Sequence, residues 1–513
     1  MAREADAALQ AKILRIGFVI VFLCAVLYGV RGMMFGSKSV AGIVAGFSLI
    51  LAFALMLDKD YWVLFPLLSA SGLRIPTLPF SSTELGCLTL VSVFCIRTVL
   101  RRDRYHFRTA KYVLWAVPYF IWCLFVFCLN PVGLHMFGST MIGGRHYFHL
   151  VLGFAVLCVL SQIEFSEKGL RLLFWGLIVC AFIQTGLGYF GFLEASESVE
   201  VVRTRYYLQS FGTIISLILC RRDLSRIVLS PLFFVCLFCS GLVLLSGRRV
   251  AVGSLLLMPF VLMFLRRRGY LFTLFCALLG ALALAVLVAG HGRFYELPYS
   301  VQRGLSFVPG KWDRSFERMG FNDDFRAELH RRAKLIIHEH PWVGRKGLAM
   351  DAREISWIVL YTGSSDKMWA GHELAGNWHN KFYGMWADFG VIAPFAWYGF
   401  LLAAIVWCFR KRNRFLDSSY ASTFYRYWFY LLFLDLILAY GHSTNTPFDL
   451  WPVFGSLLAL INMREPFDTE QSTPVAWSET APISPPLMVA REFPQPSVRN
   501  GHLPNDLSFR NNP

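Results

Sequence analysis

The chain has 513 residues, 56% of them hydrophobic and 16% charged, with a formal net charge of +16 and a mean hydropathy of +0.50. Soluble globular chains carry roughly 25% charged residues, so a water-soluble multidomain protein is excluded. The positive excess sits in short clusters between apolar runs, a membrane-topology pattern, and no nucleic-acid partner is expected.

A helix needs about 20 apolar residues to cross a ~30 Å hydrocarbon core. The charged N-terminus, residues 1–15, leads into the apolar run 16–30 without a convincing small-residue cleavage site, as in a signal anchor. Spans are predicted at 13–30, 40–57, 83–100, 112–130, 147–162, 172–193, 206–220, 227–246, 249–265, 270–289, 382–408, 424–441 and 450–463. The stretch 61–72 is interrupted by Pro66 and Gly72 and reads either as a crossing or as half of a broken helix. Counting it gives fourteen crossings; removing it with 40–57, as a re-entrant pair, gives twelve. All twelve cysteines lie in or at the ends of apolar runs. The CxxC pair Cys236 and Cys239 therefore reads as packing rather than redox or zinc chemistry.

With the N-terminus inside, the basic clusters at 97–111, 221–226, 266–268 and 410–414 all fall in the cytoplasm, while Glu194, Glu197 and Glu200 fall outside. The expected fold is all-α: a polytopic helical membrane protein of about 12–14 spans with one large extracytoplasmic loop. The organisation is an N-terminal bundle 1–289, a loop 290–381, C-terminal spans 382–463 and a cytoplasmic tail 464–513. The tail holds nine prolines and few aliphatic residues, a composition that favours disorder. Within the loop, Asp324 to His338 has helical periodicity, with Phe325, Leu329, Ala333, Ile336 and Ile337 on one face and Arg326, His330, Arg331 and Lys334 on the other. That pattern suits a helix that caps the bundle or lies on membrane lipids, in preference to a catalytic role.

Four groups of residues are candidates for chemistry. His379-Asn380 closes the loop at a helix mouth, where a neutral imidazole can accept a proton from a hydroxyl; an interfacial anchor with Trp378 and Trp386 is the alternative. Arg248, in Ser246-Gly247-Arg248-Arg249, lies on the non-cytoplasmic side against the charge trend, and a guanidinium suits a diphosphate. Arg145, Arg203 and Arg205 are placed alike, and snorkelling to lipid phosphates accounts equally for any one of them. Asp435, inside an apolar span, needs a partner: it orients a catalytic histidine, pairs with an arginine or forms a structural ion pair. His338-Glu339-His340 and His372-Glu373 lack the helical HExxH pattern, and no metal is expected.

The order of these elements is Ser-Gly-Arg-Arg between two middle spans, then a long loop with His340-Pro341-Trp342-Val343-Gly344, then His379-Asn380 with a glycine at 390. Over roughly 205–410 it resembles the O-antigen ligase and O-antigen polymerase family, with Arg345-Lys346-Gly347 where the commoner pattern has Gly-x-Gly. The resemblance implies a cofactor-free, metal-independent glycosyltransferase of the bacterial inner membrane, with a periplasmic loop and both termini in the cytoplasm. Its donor would be an undecaprenyl-diphosphate-linked oligosaccharide, and its acceptor lipid A core or a growing glycan chain. On this resemblance the catalytic set is His379, Asn380 and Asp435, and the diphosphate-binding set is Arg248, Arg145 and Arg205. A secondary transporter or flippase of lipid-linked glycans is the alternative, disfavoured by the one large loop that breaks any symmetry between halves.

Overall fold

The computed structural model describes residues 51, 64–69, 82–99, 113–129, 144–189, 208–266, 269–306, 308–312, 321–345, 378, 380–415, 419–437 and 450–462, all within one compact unit, Met1–Pro466. The signal-anchor region, the spans expected at 13–30 and (apart from Leu51) 40–57, the tail, Arg203, Arg205, His372-Glu373 and His379 lie outside them. The described residues are almost entirely helical, with no strand among them. In chain order the helices are α1 (Leu64–Ser69), α2 (Ser82–Val99), α3 (Val117–Leu129), α4 (Gly144–Leu160), α5 (Glu167–Tyr189), α6 (Phe211–Arg221), α7 (Leu224–Val228), α8 (Leu232–Leu245), α9 (Arg249–Arg266), α10 (Tyr270–Gly290), α11 (Tyr299–Leu305), α12 (Phe321–Glu339), α13 (Lys381–Phe389), α14 (Ile392–Lys411), α15 (Tyr420–Ile437) and α16 (Leu450–Asn462).

Among the described residues, four segments are long and apolar enough to cross a membrane: Glu167–Gly186, Arg249–Arg266, Tyr270–Gly290 and Ile392–Lys411. Their outward faces are greasy; on α10, Leu271, Leu274, Phe275, Leu278, Leu279, Leu282 and Val286 are all exposed, as suits a surface bathed in hydrocarbon. Pro259 lies inside α9, whereas three other prolines fall where helices tolerate them best. Pro118, Pro394 and Pro452 occupy first turns, whose N–H groups have no intrahelical partner.

Two predicted spans are broken. The span at 227–246 divides into α7 and α8, because Pro231 removes a donor and restricts Ser230 before it. The span at 382–408 divides into α13 and α14 at Gly390, whose φ of +82° belongs to the region that favours glycine. The stretch 61–72 holds the six-residue helix α1.

Side-chain bonds fix which ends of the helices lie together. Arg266, closing α9, and Arg426, in the first half of α15, both donate to the Cys220 carbonyl near the C-terminus of α6, at 2.8 and 2.9 Å. Tyr425 Oη donates to Cys408 O near the close of α14 (2.6 Å), and Tyr420 N–H donates to Glu167 Oε1 at the start of α5 (2.8 Å). The Arg221 guanidinium stacks 3.8 Å from the Tyr420 ring centroid. Glu84, in the first turn of α2, pairs with His149 in the first half of α4 at the opposite end, which returns Arg97 to the first. Arg97, Arg221, Arg222, Arg226, Arg266, Arg410, Lys411 and Arg412 therefore gather at one end of the bundle, here the basic end.

The tightest helix packing joins α4 and α16. A Cβ on Gly153 would lie 2.2 Å from the Trp451 ring, and one on Gly455 would lie 2.7 Å from Leu160. Trp451 in turn abuts Trp397 (ring centroids 5.3 Å) beside Tyr119, Phe400 and Phe454. Close backbone approach at small residues is the usual means of association between membrane helices. Gly153→Ala is expected to cost about 1–3 kcal/mol by overpacking, read as a lowered thermal midpoint of the detergent-purified protein.

Candidate functional site

Helix α13 is nine residues long and lies at the end opposite the basic clusters. Asn380 caps its N-terminus: the backbone is extended (φ −146°, ψ 109°) and Oδ1 accepts the Tyr383 N–H at 3.0 Å. The next side chain, Lys381, is 2% exposed, and its ammonium donates to both carboxylate oxygens of Asp435, at 2.8 and 2.9 Å. Its Nζ also lies 5.4 Å from the Trp397 ring centroid. Asp435, 5% exposed, thus takes Lys381 as its partner, and of the alternatives open from the sequence the structure contains an ion pair.

The two loop motifs meet at the other end of α13. The turn His340–Arg345 docks backbone to backbone on the residues around Gly390. Val391 N–H donates to Pro341 O (3.0 Å), Arg345 N–H to Ala387 O (2.8 Å), and the Trp386 indole to Pro341 O (3.0 Å). Glycine is required at both contacts. A Cβ at Gly344 (φ +57°) would meet Ala387 O at 2.4 Å, and one at Gly390 would meet Trp342 O at 1.7 Å. Asp388, fully buried, accepts from Arg345 Nε at 2.7 Å and from the Trp378 indole at 3.3 Å. Trp122 of α3 completes the clasp by donating to Phe389 O at 2.7 Å.

Helix α12 lies over α13. Leu329 and Ala333 are fully buried against Trp378 and Ala387, with Ile336, Ile337 and Tyr383 packed around them. It caps the site, as its periodicity predicts. His330 departs from the expected polar face. Its ring stands 6.0 Å from that of Tyr383, and Lys334 lies 5.7 Å from the same ring. Position 330 borders the apolar stripe, and Tyr383 draws it inward.

Arg248 sits in the turn between α8 and α9, half-buried, and donates to Gln209 Oε1 at 2.7 Å. Burial first, and the positive charge of Arg303 second, hold its pKa down to about 10, so it remains a cation at neutral pH. Its depth relative to Asp435 follows from one bond, Tyr430 Oη to Ser254 O at 2.6 Å. Antiparallel α9 and α15 each rise about 1.5 Å per residue, so Asp435 lies ~7.5 Å and Arg248 ~9 Å beyond that bond, toward the same end. Arg248 and the Lys381–Asp435 pair therefore lie toward the same end of the bundle. Arg145 belongs to the first turn of α4, at this end also, while Arg205 and His379 lie outside the described residues.

The sequence reading overlooked Lys381, Gln209, Arg345, Asp388 and Trp378 as parts of this constellation. A lysine at a span mouth and an acid inside a later span could have been matched as opposite charges, each costly in hydrocarbon alone. Gln209 carries no comparable signal. Among the described residues no group of three or more His, Cys, Asp or Glu is placed to hold a metal ion, and His338, Glu339 and His340 are all exposed. Comparison with protein-family models and with curated proteins returns no match.

Arg345→Met is expected to cost about 3 kcal/mol or more by leaving the buried Asp388 carboxylate without its cation, with much of the loss recovered in Arg345→Met/Asp388→Leu. Gly390→Ala is expected to lower the thermal midpoint further than either, since carbonyl and Cβ cannot share the space. Melting of the purified variants checks both.

Proposed function

We propose that this chain is a membrane glycan-joining enzyme of the O-antigen ligase and polymerase type. It transfers a glycan from an undecaprenyl-diphosphate carrier to a hydroxyl of lipid A core or of a growing polysaccharide. The observation that carries this reading is the docking of the His340–Gly344 turn on the Asn380–Gly390 segment, a segment that also carries the buried Lys381–Asp435 ion pair, at the end of the bundle where Arg248 lies. Two motifs far apart in sequence form one assembly at the end away from the basic clusters. By the positive-inside rule that end faces the periplasm, where no nucleotide-sugar is at hand and a preformed lipid-linked donor supplies the energy.

In this reaction the acceptor oxygen attacks the anomeric carbon, the bond from that carbon to the diphosphate oxygen breaks, and the lipid diphosphate departs with the electron pair. His379 takes the proton of the attacking hydroxyl, or positions it. Asn380 caps the helix whose N-terminal dipole faces that site. Arg248 supplies a permanent cation for the leaving diphosphate, with Arg145 and Arg205 as further clamps. Gln209 holds the Arg248 fork in place.

Two experiments test the reading. A strain lacking the gene is complemented with wild type, His379→Ala and Arg248→Ala, and surface polysaccharide is run on a gel. Both variants should insert normally yet lose joined glycan, with a fall in activity of about 10²-fold or more. Loss of all capped chains assigns the ligase, and single-repeat caps assign the polymerase. Wild-type banding from both variants would remove the assigned site. For orientation, alkaline phosphatase fused after Trp312 should be active and fused after Arg412 inactive; the reverse pattern would sink the periplasmic placement.

A further inference from the structure

The basic end of the bundle holds a cavity of about 200 Å³, bounded by the α6–α7 turn, the last two turns of α9 and the first turn of α10. Helix α10 stands away from its neighbours, and Thr273, Val288 and Gly290 are its buried residues. Pro259 lines the cavity from inside α9 and interrupts that helix's hydrogen-bond ladder, since proline has no N–H to donate. Protein interiors leave few voids larger than a water molecule, so an opening of this size between helices calls for an occupant.

The lining has two chemistries. Leu219, Pro259, Leu262, Met263 and Phe272 supply an apolar wall, and Ser225 and Thr273 add hydroxyls. Thr273 is 7% exposed, and neither hydroxyl has a hydrogen-bond partner among the described residues. Other helical threonines of this chain, Thr89, Thr98 and Thr185, each donate to the carbonyl four residues back. Thr273 does not, which leaves its hydroxyl to the cavity. Arg266 and Asp223 also line the space but are engaged already. Arg266 Nη1 donates to Arg222 O at 2.8 Å and lies 3.3 Å from Asp223 Oδ1, while Nη2 donates to Leu219 O and Cys220 O. Arg222 and Arg226, adjacent in sequence to the lining residues Asp223 and Ser225, are exposed and have no ion-pair partner among the described residues. The surroundings of the cavity thus carry three arginines against one aspartate, and their field favours an anion.

We propose that this cavity seats one anionic phospholipid, with its phosphate against the Ser225 and Thr273 hydroxyls in the field of Arg222 and Arg226, and the start of an acyl chain along Leu262, Met263 and Phe272. The proposal is independent of the glycan-joining reading. Water alone would meet a wall that is mainly apolar, and buried water needs two to four polar partners. A soluble phosphate would leave that wall uncovered, and a zwitterionic lipid brings an ammonium that the arginines repel. Basic pockets between spans at the cytoplasmic surface suit anionic headgroups, and the positive-inside rule puts this end at that surface.

The test uses the full-length protein, purified in a neutral detergent, stripped of lipid and mixed with equal amounts of phosphatidylglycerol and phosphatidylethanolamine of matched acyl chains. Native mass spectrometry counts the lipid molecules retained, and thermal melting checks the fold of each variant. Wild type should retain one phosphatidylglycerol with a preference of about tenfold, as two exposed arginines near the headgroup give. Arg222→Gln/Arg226→Gln should bring the two lipids to parity. Met263→Trp, which fills the cavity from a half-buried position, should lose the retained molecule at a near-wild-type midpoint. Equal retention of both lipids by wild type, or undiminished phosphatidylglycerol in a normally melting Met263→Trp, would overturn the proposal. Should Met263→Trp melt early, Thr273→Val decides, because it deletes the hydroxyl at nearly constant volume. Phosphatidylglycerol affinity down about tenfold supports the seat, and unchanged affinity refutes it. Excess inorganic phosphate, against chloride at equal ionic strength, separates the two sources of the anion. A lipid that stays bound supports the lipid seat, whereas displacement marks a site for free phosphate and refutes it.

Discussion

The assembly at the motif end depends on a contact between two backbones, Trp342 O against Gly390. There is no room for a side-chain carbon at that point, so the chain can pass from α13 into α14 only through a glycine with positive φ. The consequences spread in both directions along the chain. The break lets α13 fold back against α14, with Phe382 beside Phe395 and Tyr398, instead of continuing it, and it turns the Ala387 carbonyl to the Arg345 N–H. The Pro341 carbonyl, which would otherwise lack a backbone partner, takes the Val391 N–H and the Trp386 indole. Irregular backbone persists in a membrane protein where its polar groups are satisfied by other protein groups, and this clasp meets that condition.

Charge is distributed in two distinct ways along the bundle. At the basic end the arginines are structural as well as topological: Arg266 and Arg426 donate to the carbonyls that α6 leaves unpaired at its C-terminus, where the helix dipole also favours cations. At the other end, besides the local Glu328–Arg331 and Glu328–Arg332 contacts on α12, three pairs tie together segments far apart in sequence: Glu84 with His149, Arg345 with Asp388, and Lys381 with Asp435. Placing such pairs in a low-dielectric interior gives little net stability for the desolvation they require. They do restrict which helix faces can meet, and they restrict it at the end where the motifs assemble.

How much of this was legible beforehand follows from the kind of signal each feature leaves. Helices appear where apolar runs are long, and α9 and α10 match their predicted spans to within a residue or so. The breaks at Pro231 and Gly390 lie inside runs that stay apolar throughout, so hydropathy averages over them. The break at Pro231 went unread in the span predicted at 227–246, although a proline is a local signal, whereas Gly390 acts through a carbonyl nearly fifty residues earlier, which no local pattern encodes. The face of α12 that caps α13 was readable from its period, apart from His330 at the margin of the stripe. The need of Asp435 for a partner was also readable, from the cost of a lone carboxylate in an apolar span. The identity of that partner was not, since lysine and several arginines satisfy the same electrostatic demand and only the three-dimensional register chooses among them.

That register also explains why the partner is a lysine in the first turn of a short helix. An arginine reaching in from a neighbouring span would neutralise Asp435 equally well, but it would tie together two helices already held by packing. Lysine at 381 ties down the one element at this end whose continuation has been cut, at Gly390. A helix severed from the span that follows it gains freedom to lie where the bundle's own axis would not put it, and needs a separate constraint on its far end. Asp435 provides one such constraint from inside α15, and Phe382 packed against Phe395 and Tyr398 of α14 provides another.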